Sequence, residues 1–216
     1  MKRESDDHVE ELIRRQPALA DQAAAIRRLA EALAATARRG GTIFTCGNGG
    51  SAADADHMVG ELVKRFRLPR PLPPGDRERL MGAGLPEPVV ARVDAGVRAI
   101  RLASHDALTS AILNDADATL VFAQPLYVLG REGDAVLGFS TSGNSPNVIH
   151  ALQVGRALGL PALGLSGEAP CRMDEVCDMV VHAPARETHL VQELHQPIMH
   201  ALCLVVEEEL FGGASG

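Results

Sequence analysis

Apolar side chains near the start of the chain recur at three- and four-residue steps: Val9, Leu12, Ile13, Leu19, Ala23, Ile26, Leu29, Leu33 and Ala37. That is the period of an amphipathic helix. The spacing predicts helix over 6–38, broken at Pro17, which cannot donate a backbone hydrogen bond. Gly40-Gly41 stops it. The rhythm then changes. Short apolar runs at 42–46, 97–102, 134–140, 161–166 and 179–183 read as strands. Between and after them, helical patterns occupy about 51–66, 106–129, 148–159 and 188–210. Strand-like runs alternating with helices of a dozen residues predict a parallel sheet covered on both faces, an α/β fold. Residues 68–88, LPRPLPPGDRERLMGAGLPEP, interrupt the alternation with proline, glycine and charge.

Composition narrows the class. The 216 residues suit one domain with an elaborated arm. Hydrophobic residues make up 46% but aromatics only 3%, so aliphatic side chains must build the core. No apolar run reaches the roughly 18 residues that span a bilayer. The charged start, MKRESDDHVEELIRRQP, lacks the apolar stretch of a secretory signal, which predicts a cytoplasmic protein. Cys46, Cys171, Cys177 and Cys203 form no CxxC pair and read as buried, reduced thiols. A net charge of −7 argues against nucleic acid or an anionic membrane as partner. It leaves room for a small anion held by a helix N-terminus.

Two strand-to-helix turns carry candidate chemistry. In α/β sheets ligands bind beyond the carboxyl ends of the strands, where both turns fall. The second, STSGNSPN, sets Ser140, Thr141, Ser142 and Ser145 within six residues. Ser145 is a natural N-cap and Pro146 suits the first helical position. Free amides plus hydroxyls make a phosphate cradle. No Lys follows the glycine, so it is not a Walker loop. The first turn, CGNGGS, has Gly47, Gly49 and Gly50 for close backbone approach, with Ser51 as a cap and Asp54 as its capping-box partner. His57 and Glu61, four apart, share a helix face. In the last helix, Gln192, His195 and His200 interrupt an apolar face, and Glu207, Glu208 and Glu209 read as a solvated end.

In combination, GNGGS-x5-H-x3-E, STSGNS and QE-x-H-x4-H resemble the sugar isomerase (SIS) domain. Within it they are similar to the sedoheptulose-7-phosphate isomerase (phosphoheptose isomerase) family. The resemblance implies a flavodoxin-like three-layer sandwich over 41–211, an N-terminal helical oligomerisation arm over 1–40, and an insertion at about 75–96. It implies a homotetramer with sites at subunit interfaces and a sugar phosphate as substrate. The reaction would convert sedoheptulose 7-phosphate to D-glycero-D-manno-heptose 7-phosphate through an enediolate, for activated-heptose biosynthesis. Glu61 matches the catalytic base and His200 the acid. His57, Glu61, Gln192 and His200 match a metal site for one Zn²⁺ per subunit. Asn48, Gly49, Gly50, Ser51, Glu61, Arg65, Asn114, Asp115, Ser140, Thr141, Ser142, Ser145 and Gln192 match substrate contacts. His189 and Leu190 depart from the family, which often has Asp or a small residue and Arg there. Two alternatives stand beside this reading. One is a non-catalytic SIS tetramer that binds a regulatory partner, like the replication-initiator-associating homologues. The other is an isomerase of a different sugar phosphate. Eight helical residues, about 12 Å, separate Gln192 from His200, so one centre for both requires a bend, with Pro197 between them.

Overall fold

A computed structural model describes residues 1–168 and 170–213. The N-terminal arm is helix α1 (Arg3–Arg15), a 3₁₀ turn (Pro17–Gln22) and helix α2 (Ala23–Arg38). The break falls at Pro17, as its missing amide requires. Then come β1 (Ile43–Gly47), α3 (Gly50–Val63), α4 (Pro74–Gly82), α5 (Glu87–Val90), β2 (Ala99–Arg101), α6 (Asp106–Asp115) and α7 (Ala123–Leu129). The chain closes with β3 (Ala135–Ser140), α8 (Pro146–Ala157), β4 (Ala162–Ser166), α9 (Met173–Val176), β5 (Met179–His182) and α10 (Thr188–Phe211).

The five strands are parallel in the order β2-β1-β3-β4-β5, the flavodoxin-like order. Helices cover both faces. Every residue of β1 and β3 is buried, as central parallel strands require. Successive side chains alternate between two cores. Ile43, Leu137 and Phe139 pack with α1, α2, α3 and α10 on one face. Phe44, Cys46 and Val136 pack with α6, α7, α8 and α9 on the other. Among the described residues, no helix is long and apolar enough to cross a membrane.

Several expectations need correction. The stretch expected as one helix over 106–129 is two, divided by a 3₁₀ turn in which the Asp117 carboxylate accepts the Thr119 amide at 2.8 Å. The helix expected to reach residue 66 ends at Val63. Its last carbonyls are claimed from outside: Leu62 by the Val97 amide at 2.9 Å and the Arg70 guanidinium at 2.7 Å, and Glu61 by Arg70 at 3.1 Å. Residues 75–96 bury little apolar surface. Only Val90 is buried, while Met81, Leu85, Val89 and Val93 stay exposed. Helices α4 and α5 are too short to reach the core and pair with each other through Arg77 and Glu87 at 2.7 Å. Cys46 and Cys203 are buried and free, but Cys171 and Cys177 are only partly buried.

The glutamates expected in solvent are the largest correction. Glu207 is 1% exposed and Glu209 is 9% exposed. Glu207 accepts the amides of Phe66, Arg67 and Leu68 at 2.9, 2.9 and 3.1 Å and pairs with the fully buried Arg70 at 2.8 Å. Arg70 also lies 4.9 Å over the Phe211 ring. A buried charge is tolerable only when paired and hydrogen-bonded, and here every nitrogen of the guanidinium and both oxygens of the carboxylate have a partner.

His195 is fully buried, with Nε2 3.1 Å from the Ser166 carbonyl and Nδ1 without a hydrogen-bond partner. Burial lowers its pKa from 6.5, opposed by that carbonyl. The unfolded chain therefore takes up the proton first as pH falls. Above about pH 6.5 this group leaves stability unchanged, and below it the folded state loses stability progressively until the folded-state value is passed. Melting temperature is expected to fall between pH 7 and pH 5, less steeply in His195→Asn. An identical slope in that variant would count against this source.

Candidate active site

The first turn places its glycines by necessity. Gly49 has φ +55°, a region that L side chains rarely adopt. A Cβ on Gly50 would lie 2.5 Å from Gln192 Nε2. The residue before α3 is Gly49, not Ser51, and the Ala52 and Ala53 amides reach the Gly49 carbonyl at 3.0 and 3.3 Å. Ser51 is thus inside the first turn of α3, and its hydroxyl does not cap; Asp54 has no capping box to complete. Ser51 remains buried where β1 ends.

In the second turn, Ser145 is the N-cap and Pro146 opens α8, as expected. The Ser145 hydroxyl does not cap, however. It bonds to Ser140 Oγ at 3.0 Å, with Ser142 Oγ 3.5 Å from Ser140 Oγ on the other side. In the first turn of α8, Pro146 has no amide to offer, Val148 donates to Asn147 Oδ1 at 3.0 Å and Ile149 to the Ser145 carbonyl at 3.0 Å. The two turns are joined by a reciprocal amide pair, Asn48 with Asn147, at 2.9 Å in both directions. Between them lies a cavity of about 250 Å³. Asn48, Gly49, Gly50, Ser51, Ser140, Thr141, Ser145 and Gln192 line it. Phe139 and Thr188 line it too and had no sequence signal, since neither breaks the pattern of its element.

Further along α3, His57 Nε2 is 3.3 Å from Glu61 Oε1. His200, from α10, brings its Nε2 to 3.5 Å from His57 Nε2, the rings edge-to-face at 4.9 Å between centroids. Phe66 lies 5.6 Å from the His200 ring. Burial, then His57, lowers the His200 pKa below its usual 6.5, opposed by Glu61. Glu61 Oε2 is buried with no hydrogen-bond partner, and the Lys64 ammonium stops 3.6 Å away. A cavity of about 150 Å³ opens beside His200, bordered by His8, Glu11 and Arg15 of α1. Those three were hidden in the sequence because they read as the polar face of the arm.

The matched residues fall into groups. Gln192 sits against Gly50 and no hydrogen bond links it to the His57–Glu61–His200 trio, consistent with the helical distance between Gln192 and His200. Arg65 is exposed and pairs with Asp94 at 3.2 Å. Asn114 and Asp115 are exposed at the end of α6, bonded to one another at 2.6 Å, and lie outside the cavity lining.

A SIS domain family profile matches residues 7–76, which carry the arm and the first turn. A phosphoheptose isomerase from Desulfovibrio desulfuricans is 39% identical over 91% of this chain and 82% of its own. One from Burkholderia pseudomallei is 36% identical over 88% of this chain and 84% of its own. The chain belongs to the phosphoheptose isomerase family. The structure of phosphoheptose isomerase GmhA from Neisseria gonorrhoeae superposes with a TM-score of 0.72 at 28% identity, covering 94% of this chain and 96% of that one. A phosphoheptose isomerase fold thus accounts for the arm, the sheet and the last helix together.

Proposed function

We propose that the protein interconverts sedoheptulose 7-phosphate and D-glycero-D-manno-heptose 7-phosphate, supplying activated-heptose synthesis. The observation that carries this is a carboxylate with an unsatisfied buried oxygen, Glu61, beside two imidazoles, on the helix that begins at the glycine turn of the cradle. The cradle would take the phosphate through Ser51, Ser140, Thr141, Ser142 and Ser145. Asn48, Gly49, Gly50 and Gln192 would orient the sugar. Ketose–aldose isomerisation needs one base for a carbon-bound proton and one acid for oxygen. Glu61 would take a proton from C1 while the C2 carbonyl oxygen gains one from His200. The enediol then gives its O1 proton back to His200, and C2 receives the proton held by Glu61.

The same groups fit a divalent metal. Two imidazole nitrogens 3.5 Å apart and the Glu61 carboxylate, 3.3 Å from His57, are nitrogen and oxygen donors of the kind zinc takes. His57, Glu61 and His200 would hold it, with Gln192 completing the set after a shift of its side chain. When bound, zinc supplies Lewis acidity toward the substrate's carbonyl oxygen. Arg65, Asn114 and Asp115 are outward-facing, which fits sites shared between subunits of a homotetramer.

The test is turnover of C5 to C7 ketose phosphates by purified protein of measured mass, with and without chelator. The expected result is a tetramer that turns over the C7 substrate best and that loses one zinc equivalent per subunit in His57→Ala. Turnover confined to C5 or C6 substrates would move the activity to another sugar phosphate. No turnover of any would overturn the enzymatic reading. Unchanged zinc content in His57→Ala would remove the metal from this site.

A further inference from the structure

The tightest cluster of metal-binding side chains among the described residues is not at the active site. Cys171, Asp174 and His182 place one ligand atom each within 4.8 Å of the others. All three belong to the connection around α9 and to the end of β5, on the far side of the cradle turn. We propose that these three side chains bind a second divalent metal ion, zinc by their chemistry, which buttresses the phosphate-binding turn.

The hydrogen bonds around His182 favour an ion. Nδ1 lies 2.8 Å from Ser166 Oγ and 3.1 Å from the Gly167 carbonyl oxygen. Ser166 Oγ is itself 3.0 Å from that carbonyl. A carbonyl only accepts, so the arrangement with every contact attractive has Ser166 donating to Gly167 and Nδ1–H donating to the pair. The Nε2 lone pair then faces Asp174 Oδ1 at 2.9 Å. Two acceptors at that distance need a positive species between or beside them. A proton answers this for an ion pair alone; a metal answers it and also uses the thiol.

The surrounding contacts orient the ligands as metal sites do. Asp174 Oδ2 accepts the Cys171 amide at 2.8 Å, which leaves Oδ1 as the single ligand oxygen. Bonds of about 2.0–2.3 Å set the edges of a tetrahedral zinc site at roughly 3.2–3.7 Å. The three atoms close on one ion by shifts of about an ångström, within the reach of their side-chain torsions. Thiolate, imidazole and carboxylate together select zinc over magnesium or calcium. Three protein ligands leave the fourth position to water. Cys177 stays outside the set: burial pushes its thiol up to about 12.

The site is tied to the cradle by short links. The Arg172 amide donates to Asn144 Oδ1 at 2.9 Å and the Met173 amide to the Gly143 carbonyl at 3.1 Å. Gly143 leaves no room for a Cβ, because Cys171 Sγ occupies the space. An ion held by Cys171 would therefore fix the backbone of the turn that faces the phosphate.

Cobalt(II) distinguishes this site from the active site, which holds no cysteine. Titrating metal-free protein with Co²⁺ should develop a thiolate-to-cobalt charge-transfer band, retained in His57→Ala and Cys177→Ser and lost in Cys171→Ser. Zn²⁺ at ten times its dissociation constant should also slow alkylation of Cys171 about tenfold in the wild-type protein, read by peptide mass spectrometry. The second measurement needs no variant and stands if Cys171→Ser fails to fold. No charge-transfer band at saturating Co²⁺, a band that survives Cys171→Ser, or equal alkylation with and without Zn²⁺ overturns the proposal.

Discussion

Replacing Glu61 by Gln is expected to lower kcat by about 10²- to 10⁴-fold, and replacing His200 by Asn to do the same. The loss corresponds to about 3–5 kcal/mol of transition-state stabilisation in each case. Glu61→Gln keeps the shape and removes the proton acceptor. Stability should hardly change, since Oε2 has no hydrogen bond to lose and Oε1 only its contact with His57. His200→Asn removes the nitrogen that meets His57 while leaving Phe66 and the flanking Ala201 and Leu202 in place. Steady-state kinetics beside a thermal melt separate chemistry from folding. Near wild-type kcat in either folded variant would take that residue out of the proton-transfer role.

Cutting the Arg70–Glu207 pair is expected to have the largest effect on stability. Arg70→Met should cost about 3–5 kcal/mol, because it strands a buried carboxylate. Glu207→Leu should cost as much, since it strands a guanidinium and the amides of Phe66, Arg67 and Leu68. The double variant should cost less than the sum of the two, as neighbours in one network do. Urea unfolding of the three proteins measures this. A cost below about 1 kcal/mol for either single variant would mean that water reaches the pair and that the clamp is weak. Activity should fall with stability, for Arg70 holds the carbonyl of Glu61 itself.

What could be read in the sequence was local or periodic. The helix through Ile26, Leu29 and Leu33, the break at Pro17, and the two glycine- and serine-rich turns each announce themselves within a few residues. The pairing of His57 with Glu61 follows from their spacing. The meeting of His200 with His57 does not, since 143 positions separate them, and only the resemblance of the whole motif set pointed to it. Glu207 was misread for a related reason. In a run of three glutamates nothing local marks the one whose partner, Arg70, sits 137 residues earlier. Ser51 shows the opposite failure, because two neighbouring residues both make good caps and only the backbone at Gly49 decides between them. The Cys171–Asp174–His182 cluster has no motif at all. Its members meet because β5 returns beside β4 and brings His182 back over α9.

Helix α10 sets four unrelated positions from one rod: Gln192 at the cavity, His195 in the core, His200 beside His57, and Glu207 under the 66–68 backbone. A helix turns about 100° per residue. One residue added or removed between 192 and 207 would swing every later member of the series off its target at once. A point substitution along this stretch disturbs one position, whereas a change of length disturbs all that follow it. Variation in length among working relatives is therefore expected outside this stretch of α10.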